Sequence, residues 1–181
     1  TTPASAEGGQ GNPTTAQLTW PAGTASVVSQ VTQLSDGLRL TLTASPTVDV
    51  GTETTCLAAG FPTDLWGGST AYVDGTGYPI PEVYGGNGWP FGGNARTLRI
   101  VKGDLEITLE GDSARSSLLQ DSRQWGPSLD WRYGQQGGTW TANTQRTYTV
   151  TLKSSRPLNF AVQEPYTITQ GPDWVALDQP K

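Results

Sequence analysis

Hydrophobic residues in this chain recur at every second position over short runs, and nowhere at the spacing of an amphipathic helix. Leu38, Leu40 and Leu42 alternate with Arg39, Thr41 and Thr43 behind Asp36-Gly37, a strong hairpin-turn signal. Leu98 and Ile100 point inward while Thr97 and Arg99 point out. After a turn at Lys102-Gly103, Leu105, Ile107 and Leu109 face in, and Asp104, Glu106, Thr108 and Glu110 face out. Residues 17–20 alternate with Leu18 and Trp20 together, and residues 26–34 alternate with neither face cleanly apolar. One more strand is expected around Cys56, ending at Phe61-Pro62. Further strands are expected at 116–121, 128–133, 146–152, 158–162 and 166–169, with turn signals at Gly111-Asp112, Gly126-Pro127, Gly137-Gly138 and Gly171-Pro172.

About ten to twelve short strands at this spacing predict an all-β chain. The expected architecture is a two-sheet antiparallel β-sandwich, jelly-roll-like, with long glycine- and aromatic-rich loops; a closed barrel is the alternative. Residues 1–15 are Thr, Gly, Pro and Ser rich and are expected to be a flexible linker or lead-in, with 16–178 as a single sandwich domain. No internal repeat is visible, which argues against a propeller or solenoid.

One stretch breaks the alternation. Leu65 to Asn94 holds nine glycines, among which sit Trp66, Tyr72, Tyr78, Tyr84, Trp89 and Phe91. Glycine makes such a segment entropically costly to hold in one conformation, and so many rings argue against disorder. The rings either tuck under the loop as a satellite core or stay out as flat contact surfaces, and the second reading makes this stretch part of a ligand-facing surface.

Composition narrows the chemistry. Net charge is −5 and the eleven Lys and Arg are scattered, so no nucleic-acid partner is expected. No apolar run is long enough to span a membrane. Histidine is absent, which removes Ser-His triads, Cys-His pairs and histidine-ligated metals. The lone Cys56 has no intrachain partner and reads as a buried thiol. The opening TTPASAEGG has no apolar run suited to a signal peptide, so either a signal was removed or the chain is a piece cut from a larger protein. The closing PDWVALDQPK, which lacks a cap, favours the second expectation.

Paired carboxylates would be needed for glycosidic cleavage. Glu106 and Glu110 share a strand face at roughly 13 Å, beyond the roughly 5–9.5 Å of working pairs, and solvated decoration explains them. Asp64, Asp74, Asp112 and Asp121 lie in or near expected turns and could hold a structural calcium, although no EF-hand loop is present and turn formation explains them equally well. No other cofactor is expected. The seven tryptophans say more. Trp20 and Trp131 fall in phase with core positions, while Trp66, Trp89 and Trp125 sit beside Gly or Pro where a ring can be displayed. Sugar rings carry apolar C–H faces that stack on such indoles, and oriented polar groups fix their hydroxyls. The run LLQDSRQWGPSLDWRYG adds Gln120, Asp121, Arg123 and Trp125 around one turn, with Arg123 able to bridge Asp121 or Asp130.

That run, followed by GTWTANTQRTYTVTLKSS and YTITQGPDWVAL, resembles the β-sandwich module that precedes the catalytic barrel in some large bacterial glycoside hydrolases. The resemblance covers roughly 99–177 and implies an accessory, non-catalytic domain of a secreted multidomain enzyme, covalently linked to its catalytic domain. Taken with the aromatics, it leads to a carbohydrate-binding module for plant cell-wall β-glycans of β-glucan, cellulose or xylan type, and not an enzyme. The expected contacts are Trp66, Tyr84, Trp89 and Trp125 for stacking, with Asn87, Gln120, Asp121 and Arg123 for polar bonds. A ligand-free structural spacer and a two-carboxylate hydrolase or lyase are the alternatives.

Overall fold

The computed structural model describes residues 14–20 and 23–156; the strands expected at 158–162 and 166–169, and Trp174, lie outside them. Ten strands and one short helix follow in the order β1 (Thr14–Trp20), β2 (Gly23–Gln33), β3 (Leu38–Pro46), β4 (Val50–Pro62), α1 (Thr63–Trp66), β5 (Thr70–Val73), β6 (Thr76–Pro79), β7 (Phe91–Lys102), β8 (Leu105–Asp121), β9 (Ser128–Trp140) and β10 (Arg146–Ser154). Every pairing is antiparallel. The chain is an all-β sandwich, and α1 is far too short to cross a membrane.

The two layers are continuous through one hairpin. The main path runs β1-β2-β3-β10-β8-β7-β5-β6, and β9 with β4 branches from β8. Strand β8 is 17 residues long and serves both layers. Its first half, Ile107 to Gly111, pairs with β10, and its second half, Ser117 to Asp121, pairs with β9. In between, the ladder to β7 jumps from Ala95↔Arg115 to Thr97↔Glu110, an irregularity that folds the hairpin over itself. The bulge also changes phase, so that Ala95, Leu98 and Ile100 are all buried although 95 and 98 differ by an odd step. One core results, joining Leu57, Phe61, Leu119, Leu129, Trp131 and Tyr133 of one layer to Leu98, Ile100, Leu109, Tyr148 and Val150 of the other.

Polar side chains hold the bend. Asp74 accepts from the backbone N–H groups of Arg96 and Thr97 and from the Thr97 hydroxyl, at 2.8–3.2 Å. Opposite, Arg115 donates to Asp112 at 2.7 Å, and the Tyr133 hydroxyl lies 2.6 Å from both Asp112 Oδ1 and the Ser113 carbonyl. Gly111 leaves room for that ring, because a Cβ there would fall 2.2 Å from Tyr133. The Gly111-Asp112 signal is therefore a bend inside one strand and not a reversal, and Gly137-Gly138 likewise falls inside β9.

Burial would raise the Asp112 carboxyl, but the Tyr133 hydroxyl, the Arg115 charge and hydrogen bonds from Arg115 and Ser113 outweigh it and hold the group below its ordinary value. For Asp74 burial is again opposed, here by the Thr97 and Arg96 bonds, with the same net direction. A carboxylate depressed by folding contributes stability at pH above its ordinary range, and loses it as pH falls through the depressed value. The melting temperature is therefore expected to be level above about pH 5 and to fall steeply below about pH 4. Asp112→Asn should flatten that acid limb in thermal melts across pH; an unchanged slope would remove the bend from the acid response.

Candidate functional site

Two loops meet at the end of the sandwich where β8 finishes. The first, 80–90, joins β6 to β7 and is pinned at its start by Ile80, 2% exposed. The second, 122–127, joins β8 to β9 as a tight turn in which Trp125 and Gly126 N–H groups both donate to the Ser122 carbonyl. Ser122 and Ser128 hydroxyls close its base by donating to Asp130.

An ion pair joins the loops. Asp121 is 1% exposed and takes a two-pronged bond from Arg123, Nη2 to Oδ2 at 2.6 Å and Nε to Oδ1 at 2.9 Å. The same guanidinium donates to the Pro81 and Glu82 carbonyls at 2.9 and 2.7 Å, and the Asp121 N–H donates to the Gly88 carbonyl at 2.8 Å. Its charge sits 5.9 Å from the Tyr84 ring centre. The bond to Asp121 holds the Arg123 guanidinium above its ordinary value, although burial pulls the other way. A planar five-donor fork suits this task, since it must satisfy a carboxylate and two carbonyls at once.

On that clamp sit the displayed rings. Trp89 and Trp125 are each 67% exposed, the only aromatics among the exposed large hydrophobics of the described residues. Asn87 Oδ1 accepts from the Trp89 N–H at 3.2 Å, a local turn that sets how the indole leaves the backbone. The Tyr84 hydroxyl and the Gln124 amide both approach Gly88, within 4 Å of where a Cβ would stand.

Of the expected contacts, Tyr84, Asn87 and Trp89 lie on the first loop and Arg123 and Trp125 on the second, and the Arg123 and Asp121 bonds join the two loops. Trp66, by contrast, is not an open stacking face. Its ring is 7% exposed and packs edge-on against Phe61 at 6.5 Å, because α1 turns it into the core. Gln120 and Asp121 are buried as well, so neither offers a free polar group, and Asp121 acts through Arg123. Arg123 is itself committed to internal partners. Of the other rings of the glycine-rich stretch, Tyr78 and Phe91 pack against the main core, Tyr78 meeting Phe91 and Phe91 meeting Trp131, while half-buried Tyr72 lies under Arg99 at 4.4 Å. Glu82 and Gln124 were missed; Glu82 is 72% exposed on the first loop, and Gln124 lies next to Trp125.

The carboxylates of the strand faces have their own cations. Glu106 binds Arg99, Glu110 binds Arg96 and Asp104 binds Arg156. Asp64, Asp74, Asp112 and Asp121 all accept hydrogen bonds within the chain, and no three His, Cys, Asp or Glu residues gather as a metal site among the described residues. Cys56 is half-buried, and burial pushes its thiol up while the Arg132 charge pulls partly back.

No protein-family model matches the chain, and no curated protein matches it. The resemblance to a glycoside-hydrolase accessory module therefore stands only in its all-β architecture. Among solved structures, the chain is similar to a crystal structure from Escherichia coli K12 described as a "Putative aldose 1-epimerase". The two are 12% identical, the match covers 83% of this chain and 68% of that one, and the TM-score is 0.48. That neighbour is described as an enzyme, and the expectation that this chain is not one is withdrawn on that finding. At this identity and score the likeness assigns no reaction to the chain.

Proposed function

We propose that this chain recognises carbohydrate through the rim formed by its 80–90 and 122–127 loops, with plant cell-wall β-glycans as the ligand class. The chain would work outside the cell, joined to a polysaccharide-degrading enzyme. The observation that carries the reading is the pair of indoles, Trp89 and Trp125, each two-thirds exposed on loops fastened to one another by the Asp121–Arg123 clamp. Exposed indoles lose apolar contact with nothing in return unless a flat partner covers them, and the C–H face of a sugar ring is such a partner. Asn87, Gln124 and Glu82 supply amide and carboxylate groups along the same rim for hydroxyls. Rigid fastening lowers the ordering cost of binding, which matters for a contact surface this small.

Affinity gel electrophoresis against β-glucan, xylan and soluble cellulose derivatives tests the reading. Trp89→Ala and Trp125→Ala should each weaken retention by roughly 1–3 kcal/mol, the range of anchor aromatics, and leave the melting temperature within about a degree, as for exposed sites. Trp66→Ala should do the opposite. Failure of every glycan to retard the native chain would leave a spacer that binds nothing.

A further inference from the structure

The bend of β8 leaves a recess on the outer face of the layer that holds β3 and β10. The β10–β8 ladder ends at Val150↔Gly111, because β8 goes on from there to pair with β9 in the other layer. A recess of about 310 Å³ lies at this parting, between Arg39 of β3, Thr149 and Thr151 of β10, Arg96 of β7 and the bend residues Glu110 and Asp112. Tyr148 and Val150 turn into the core, so Thr149 and Thr151 face outward. Among the described residues no aromatic or large aliphatic side chain lines the recess. Recognition here would run on charge and hydrogen bonds, without stacking.

All but one of the charges on its wall are neutralised within the chain. Arg96 donates to Glu110 at 2.7 Å and to the Gly111 carbonyl at 3.2 Å, and Arg115 donates to Asp112 at 2.7 Å. Arg39 stands opposite Thr151, whose neighbour on the far side is Glu110, so roughly 10 Å of sheet separates the two backbones. Glu110 is already taken by Arg96, and among the described residues the Arg39 guanidinium has neither an ion pair nor a hydrogen bond.

The groups left over define a ligand. A guanidinium fork takes a carboxylate or phosphate through two parallel bonds. Beside it, the Thr151 hydroxyl and Oε2 of Glu110 make no hydrogen bond among the described residues, and a hydroxyl donor-acceptor next to a carboxylate acceptor suits ligand hydroxyls. Glu110 and Asp112 would repel a doubly charged phosphate, whereas one unmatched cation suits one negative charge. The volume is at the low end of ligand cavities, roughly 300–1,000 Å³, which admits one sugar-sized ring and not a chain. We infer that the recess binds a hydroxylated monocarboxylate of that size, a uronate, with its carboxylate on Arg39 and its hydroxyls on Thr151 and Glu110. The site is separate from the loop rim, since it sits at the bend of β8 while Asp121 of the clamp ends that strand.

Titration of the full chain with sodium D-glucuronate, followed by amide NMR shifts, tests this. Saturable shifts are expected at Gly111, Thr149 and Thr151, and none from glucose or inorganic phosphate over the same range. Arg39 is exposed, so its variants should fold as the native chain does. Arg39→Ala should weaken glucuronate binding by about tenfold or more, as loss of a charge-assisted pair implies, and Arg39→Lys should restore only part of it. Arg156→Gln removes the same charge from an exposed position outside the recess and should leave the affinity unchanged. Saturation by glucose as good as by glucuronate would show that charge is not recognised, and equal binding of phosphate would reduce the recess to a general oxyanion site. Equal losses in Arg39→Ala and Arg156→Gln would show an effect of net charge alone, and no saturable shift would leave a solvated dent. Each of these four results overturns the assignment.

Discussion

Asp121→Ala is expected to produce a heavy loss of stability together with a loss of glycan retention. The substitution removes a carboxylate that is 1% exposed from a guanidinium that is 11% exposed, leaving the cation almost enclosed with only two carbonyls for partners. Breaking a buried pair from one side costs about 3–5 kcal/mol, and the low end applies because Arg123 keeps some contact with water. In a chain of this size about 3 kcal/mol lowers the melting temperature by roughly 6–12 °C. The functional loss has a separate origin. Arg123 carries the bonds to Pro81 and Glu82, so an unanchored guanidinium frees the loop that bears Trp89. Arg123→Lys should repeat much of the effect, since one ammonium cannot satisfy a carboxylate and two carbonyls in the same plane. Thermal melts and affinity gels on both variants check this. A melting temperature within about a degree of native would show that the clamp is decorative.

Gly111→Ala should be nearly as damaging through a single added methyl. The new Cβ would lie 2.2 Å from the Tyr133 Cζ and hydroxyl oxygen and 2.4 Å from Cε2. Neither partner can step aside: Tyr133 is fully buried and its hydroxyl is bonded at Asp112 and Ser113. Overpacking costs about 1–3 kcal/mol, and displacing the phenol adds a lost bond to a charged acceptor, so a total near 3 kcal/mol or more is expected. Gly51→Ala is the matched control, because nothing lies within 4 Å of its Cβ position. Denaturant melts of the two should differ widely. Equal midpoints would mean that the bend relaxes without strain.

What the alternating pattern revealed were strands that keep one face in the core throughout, such as Leu129-Trp131-Tyr133 and Leu98-Ile100. It failed where the ladder is irregular. Gly111-Asp112 has turn chemistry, yet its glycine is there for a ring 22 positions further on, and such a long-range steric demand leaves no local mark. Asp74-Gly75 carries the same signal as Asp36-Gly37 and makes the β5–β6 hairpin, with positive φ at both residues (45° and 87°) as a type I′ turn requires. Being set in a glycine-rich stretch, it passed for loop. Of the site, the display of Trp89 and Trp125 was legible from their Gly and Pro neighbours. The same cue misplaced Trp66, whose ring is turned inward by a helical turn of four residues. Gln120 and Asp121 looked accessible because they follow Leu119 near a strand end, but the two loops close over that end and cover both.

The passage of β8 from one layer to the other has a mechanical consequence. In a sandwich made from two independent sheets, the halves are held by side chains alone and could part along a seam. Here that seam is bridged by continuous main chain, so prying the halves apart means unzipping the β7–β8 ladder itself. Tryptophan emission and backbone dichroism should accordingly report melting as one event at one temperature.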